Sequence, residues 1–113
     1  MSPDAEGGPT ALAESDASHV LTEDAQRAAD FLKTLANPWR LRILCALAEG
    51  PLAVGVLAAR IGAREGLVSQ HLMRLRAEGL VRGERNGHNV TYSLTSGPAA
   101  EVIAVLHRAF CAR

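Results

Sequence analysis

The sequence predicts a mainly α fold with a small β-hairpin. Apolar residues recur at helical spacing in five stretches, Asn86-Gly87 separates two strand-like runs, and Gly or Pro punctuates the joins. The 113 residues leave room for one domain, and a helical domain this small gains from dimerising.

Residues 1–18 are rich in Pro, Gly, Ala, Ser and Asp without a period, and are expected to form a disordered acidic leader. The domain is then 19–113. A first helix is expected over 23–35, capped by Thr22, with Glu23 and Asp24 in its first turn and a stripe of Ala25, Ala28, Ala29, Leu32 and Leu35. Asn37-Pro38 supplies a cap and a first-turn proline for a second helix reaching about residue 49, where Gly50-Pro51 stops it. Leu44, Leu47 and part of Trp39 should face inward.

The stretch 54–79 reads as two helices around a tight turn. The first, 54–61, puts Leu57, Ala58 and Ile61 on one face, and Gly62 offers the left-handed stop. The second, 64–78, buries Val68, Leu72 and Leu75 and turns Ser69, Gln70, Met73 and Arg74 outward. That outer face is polar, cationic and free of acid, the chemistry needed for base edges and phosphates in a major groove. An ordinary helical hairpin would share this pattern; the residues after it argue for a helix-turn-helix. Over 80–94 the Asn86-Gly87 turn joins two strands, in the second of which Val90, Tyr92 and Leu94 alternate with Thr91 and Ser93. Arg82, Arg85 and His88 lie near the tip, so the hairpin suits a wing reaching backbone or minor groove. Pro98 opens a last helix running toward residue 113 with Val102, Ile103, Leu106 and Phe110 as its stripe. Apolar stripes on the first and last helices predict a homodimer packed through both.

The formal net charge is zero, yet it is unevenly spread. Residues 1–30 hold seven acids and one base, net −6, and residues 31–113 hold eleven bases and five acids, net +6. The folding part is therefore basic, which suits double-stranded DNA. No apolar run is long enough to span a bilayer and no signal-peptide pattern opens the chain, so no membrane partner is expected and the cytoplasm is the default compartment. There, the two cysteines, Cys45 and Cys111, are expected to be free, metal-bound or redox-active.

The order helix, helix, helix-turn-helix, wing, helix resembles the ArsR family of winged helix-turn-helix repressors. Carrying the resemblance are Phe31-Leu32-Lys33-Thr34-Leu35-Ala36-Asn37-Pro38, Arg40-Leu41-Arg42-Ile43-Leu44, Val68-Ser69-Gln70-His71-Leu72, Leu75-Arg76, Gly79-Leu80-Val81 and Tyr92-Ser93-Leu94. The resemblance implies a homodimer that occupies an operator and leaves it when an inducer binds. Ser69, Gln70, His71 and Arg74 are the candidates for groove contacts, with His71 toward the buried side; Arg85 and His88 are those for the wing. Two-fold symmetry predicts a near-palindromic operator with half-sites about one or two helical turns apart.

The resemblance also bears on the inducer. Where many members carry a Cys-Val-Cys metal pair, this chain reads Ala53-Val54-Gly55, and Glu101 and His107 are too few and wrongly spaced for the family's last-helix zinc site. No metal or cofactor is expected, and His107 is read as a solvated histidine. Cys45 and Cys111 instead resemble the dithiol of the sulfide-responsive SqrR/BigR branch. That likeness implies reactive sulfur species as inducer, joining the cysteines by a disulfide or polysulfide link and derepressing sulfide-detoxification genes. Arg42 precedes Cys45 by three residues, and Arg108 and His107 precede Cys111 by three and four, so each thiol is expected to have a cation beside it that lowers its pKa. A pair held slightly too far apart for a disulfide would favour a longer sulfur link and distinguish persulfide from peroxide. Competing readings are a dithiol sensor of peroxide or of a thiophilic metal ion, a thiol enzyme, and a dimerisation module with a vestigial DNA-reading fold. No acid–base partner set surrounds either cysteine, so an enzyme is not expected.

Overall fold

The computed structural model describes residues 15–111. It divides into two units, Met1–Thr34 and Leu35–Arg113. The first unit holds nearly all of helix α1, Ser15–Leu35. This helix starts ahead of the expected 23–35, so Thr22 lies inside it rather than at its cap. Asp24 pairs with Arg27, and Gln26 Nε2 donates to Asp30 Oδ1 at 3.0 Å, so the acids tie the helix interior together instead of marking its start. Of the expected leader, 1–14 lie outside the described residues and 15–18 belong to α1.

The second unit carries α2 (Pro38–Ala48), β1 (Leu52–Ala53), α3 (Val54–Ile61), α4 (Glu65–Ala77), β2 (Val81–Asn86), β3 (Asn89–Leu94) and α5 (Pro98–Leu106), followed by a π-helical turn, His107–Cys111. Asn37 caps α2 as its residue type predicts: the Arg40 amide donates to Asn37 Oδ1 at 3.0 Å, and Pro38 needs no partner for an amide it lacks. Gly62 ends α3 at φ 76°. Gly79, at φ 78°, ends α4 in a Schellman motif. Its amide donates to the Arg76 carbonyl at 2.9 Å and the Leu80 amide to the Leu75 carbonyl at 2.9 Å. Leu75 and Leu80 are both buried beneath that turn, which sets the angle at which the chain leaves α4 for the hairpin.

The core is built from the faces that the periodicity picks out. Ile43, Leu44, Leu57, Val68, Leu72, Leu75 and Ile103 are all at most 1% exposed. Burial of each such side chain contributes about 1.5–3 kcal/mol. The sheet has three strands, in the order β1-β3-β2, rather than the expected two. The added strand is short, Leu52 opposite Tyr92 and Ala53 opposite Thr91, and pins the entrance of α3 to the hairpin.

The hairpin turn also differs from its dipeptide signature. Asn86 pairs with Asn89, which leaves Gly87 and His88 as the loop. Gly87 has φ 65° and no described non-glycine residue has positive φ, so the pattern is that of a type II′ turn, with glycine first.

Candidate functional site: a dithiol and a nucleic-acid interface

Val68, Leu72 and Leu75 fix the rotation of α4 by facing the core, and this leaves Ser69, Gln70, Met73 and Arg74 exposed on its outer side. His71 is half-buried. Its burial, and then the neighbouring Arg40 charge, hold its imidazole below the usual histidine value, which favours the neutral form. The outer face is not free of acid, as its sequence suggested: Arg74 Nε donates to Glu78 Oε2 at 2.9 Å, one turn along. Arg64 precedes α4 without making a side-chain cap.

A groove of about 950 Å³ runs between α4, the start of α3 and the hairpin, with Ser69 and His88 among its lining residues alongside Val54, Gly55, Glu65 and Tyr92. Strand alternation separates the hairpin cations. Arg85 pairs across to Val90 on the same side as Gly83–Tyr92 and the buried Val81, whereas Arg82 pairs to Ser93 on the opposite side. Arg85 thus shares a side with groove-lining Val90 and Tyr92, and Arg82 does not. Tyr92 packs across Gly83, where an added Cβ would lie 3.0 Å from the ring.

The two cysteines meet outside this groove, and neither is among its lining residues. Cys45 is buried in α2, Cys111 is exposed at the end of the π-helical turn, and both are free thiols. Their sulfurs lie 2.8 Å apart, inside van der Waals contact and beyond a bonded S–S distance. The expected excess separation is therefore absent: spacing alone does not bar a direct disulfide, whose bond is about 2.05 Å long. The expected lowering of the Cys45 pKa is also overturned. Burial pushes the Cys45 thiol up to about 12, aided by the adjoining Cys111 thiol and the Glu49 carboxylate. Arg42, whose guanidinium lies 4.5 Å from the centroid of the Trp39 ring, is not among the groups that shift Cys45.

His107 is neither solvated nor spent on Cys111. Its side chain is 18% exposed, and Nε2 lies 2.9 Å from Glu49 Oε2. A π turn winds more widely than an α turn, so α-helical spacing from His107 and Arg108 does not locate Cys111. The same turn leaves Phe110 71% exposed. Glu49 also reaches Arg60 at the end of α3, Oε1 to NH1 3.5 Å, so one carboxylate joins α2, the cysteine-bearing turn and the helix-turn-helix. His107, and then Arg60, hold the Glu49 carboxyl below the usual carboxylate range against some desolvation. Sequence reasoning missed this hub. Its one local signal was an acid at a helix C-terminus, where the dipole disfavours negative charge and a cation is needed nearby. Among the described residues no cluster of His, Cys, Asp and Glu could hold a metal ion.

A glycine-stopped helix pair with an exposed polar second helix and a cationic hairpin beside it defines a winged helix-turn-helix, a class that reads duplex DNA. Residues 37–82 match the family model described as "Bacterial regulatory protein, arsR family". The biofilm growth-associated repressor of Xylella fastidiosa strain 9a5c is 39% identical over 99 residues, which cover 84% of this chain and 87% of that protein. The chain belongs to the ArsR family of DNA-binding transcriptional regulators, whose members typically function as dimers. The crystal structure of the transcriptional repressor BigR from Xylella fastidiosa matches with TM-score 0.77 at 37% identity, covering 83% of this chain and 93% of that one. Reduced HlyU from Vibrio cholerae N16961 matches with TM-score 0.76 at 37% identity, covering 81% and 97%. Among the described residues no helix is long and apolar enough to cross a membrane.

Proposed function

We propose that the protein is a homodimeric, cytoplasmic repressor that releases operator DNA when reactive sulfur species link Cys45 to Cys111. The observation that carries this reading is the 2.8 Å approach of two free thiols, one buried and one exposed. Cys111 meets the inducer. Its thiolate attacks the sulfane sulfur of a persulfide RS–SH, breaking that S–S bond, expelling the thiolate RS⁻ and leaving Cys111 as a persulfide. Cys45 then attacks Cys111 Sγ and expels the terminal sulfur, which takes the Cys45 proton and leaves as H₂S. The product is a disulfide, and the persulfide has supplied both oxidising equivalents. If both cysteines are persulfidated first, the same displacement yields a trisulfide and H₂S.

Ser69, Gln70, His71 and Arg74 contact the major groove in this reading, and Arg85 and His88 contact the flanking backbone or minor groove. The partner protomer covers the apolar side chains that are exposed on the first and last helical segments, among them Leu32, Val105 and Phe110. Linking the thiols moves the π-helical turn against α2, and Glu49 passes the shift to Arg60 on α3. The name of the BigR relative supports repression; the HlyU relative of Vibrio cholerae is named an activator. Peroxide sensing stands as a second reading, because adjacent sulfurs also permit a sulfenic acid on Cys111 to be resolved by Cys45 with loss of water.

A gel shift on the DNA upstream of the protein's own gene tests the proposal. Reduced protein should retard the fragment, polysulfide-treated protein should release it, and Cys45→Ser and Cys111→Ser should hold it under both conditions. Release of the serine variants by polysulfide would remove the dithiol from the mechanism.

A further inference from the structure

We infer that Arg42 and Arg60 make the opening beside the dithiol selective for anionic sulfane-sulfur donors over neutral oxidants. The inference rests on the dithiol reading and adds to it the source of selectivity. Sulfurs 2.8 Å apart can be joined directly, so distance does not decide between a persulfide and a peroxide. The surroundings of the sulfurs differ on their two sides. One side is an apolar cavity of about 290 Å³ lined by Leu41, Leu106 and Phe110 as well as both cysteines. The other, of about 350 Å³, is a mixed depression in which Arg42, Glu49 and Arg60 stand among Ala46, Ile61 and the same two cysteines.

The charged residues of that depression are cationic in balance. Glu49 is its single acid, and that carboxylate is already engaged by His107 and Arg60. Arg42 stacks on the Trp39 ring, an uncharged partner, so its side of the cavity keeps a full positive charge. Inorganic polysulfides and organic persulfides are largely anionic at neutral pH, whereas hydrogen peroxide is neutral. The positive field over this open depression concentrates the first group near Cys111 and leaves the second unaffected. The volume exceeds what a short sulfur chain fills, so a carboxylate-bearing persulfide is admitted as well.

The test tracks loss of both thiols with time, by mass spectrometry after quenching, in the full chain. Sodium tetrasulfide, glutathione persulfide and hydrogen peroxide are compared on wild type, Arg42→Gln/Arg60→Gln and Arg42→Lys/Arg60→Lys. The glutamine pair should slow both sulfur donors about tenfold and make their rates less sensitive to salt, with the peroxide rate kept within about twofold. The lysine pair should restore most of the loss. A fall confined to glutathione persulfide assigns the arginines to its carboxylates, and a fall shared with tetrasulfide assigns them to the sulfur anion; each supports the inference. Equal loss for all three reagents, or no loss for any, overturns it. The gel shift separates the two readings: release of DNA by polysulfide without this reagent selectivity leaves the dithiol switch standing and removes the arginines' role.

Discussion

Cys45 and Cys111 lie 66 positions apart in the chain, yet their sulfurs approach to 2.8 Å. They are unequal partners. Cys45 is enclosed by α2 and its thiol is pushed up to about 12, chiefly by burial, while Cys111 stands at the surface. Alkylation should therefore be ordered. Iodoacetamide at pH 7 should label Cys111 first, with Cys45 at least about tenfold slower because its thiolate fraction is small and its access poor. Raising the pH toward 12 should narrow the gap. Peptide mapping over a time course checks this, and equal early labelling at pH 7 would contradict the asymmetry.

Tyr92 imposes a similar spatial constraint in the wing. The ring lies across Gly83, where a Cβ would sit 3.0 Å from Tyr92 Cε1 and 3.2 Å from Val90 Cγ1. Gly83 has no positive φ, so the cost of adding a methyl group is one of space. Gly83→Ala should destabilise the domain by about 1–3 kcal/mol as Tyr92 moves aside. The urea midpoint measures it. A second variant, Gly83→Ala/Tyr92→Leu, should recover part of the loss, and an unchanged midpoint in the single variant would refute the contact.

Periodicity and punctuation made most of the second unit legible. Val68, Leu72 and Leu75 are each at most 1% exposed, and the ends of α3 and α4 fall at Gly62 and Gly79 as left-handed stops require. Local patterns failed where a distant partner decides. β1 is only Leu52–Ala53, too short to alternate, and exists because β3 pairs with it. The environment of Cys111 depends on a π turn and that of His107 on Glu49, neither of which is written in spacing along one helix. The start of α1 escapes a local reading because Thr22-Glu23-Asp24 imitates a cap, while the helix already runs from Ser15.

His71 and Arg74 should divide the work of the outer face of α4. Burial and Arg40 favour the neutral form of His71, so at an operator it should offer hydrogen bonds rather than charge. His71→Asn should leave the salt dependence of operator binding unchanged at about pH 7.5. Arg74→Gln should weaken binding and lower the slope of log affinity against log salt by about 1. Glu78→Gln should strengthen binding, because Arg74 then has no carboxylate to leave on meeting DNA. Exposed pairs of this kind are worth about 0–1 kcal/mol, so the fold should tolerate the change. Binding isotherms at several salt concentrations test all three, and an unchanged slope in Arg74→Gln would move the phosphate contact elsewhere.

Glu49 ties the thiol-bearing turn to the helix-turn-helix and should contribute modestly to stability and more to switching. Its carboxyl lies below the usual range because His107, and then Arg60, favour the charged form. A depressed folded pKa contributes stability that is present above the ordinary carboxylate value of about 4.3 and disappears as pH falls through the lower folded value. Glu49→Gln should therefore lose only a little stability relative to wild type at about pH 6–7, because water screens this exposed carboxylate, and converge on it in strong acid, as urea midpoints across pH will show. Convergence arises because protonation removes from the native protein the charge that the substitution has already removed. In the switch, the variant keeps both thiols but lacks the carboxylate whose contacts connect His107 to Arg60. Polysulfide should still link Cys45 to Cys111, while the ratio of operator affinities between reduced and linked protein should shrink. Mass spectrometry of the linked product beside the gel shift separates chemistry from coupling. A full-sized affinity ratio in Glu49→Gln would route the signal through the packing of α2 against α5 instead.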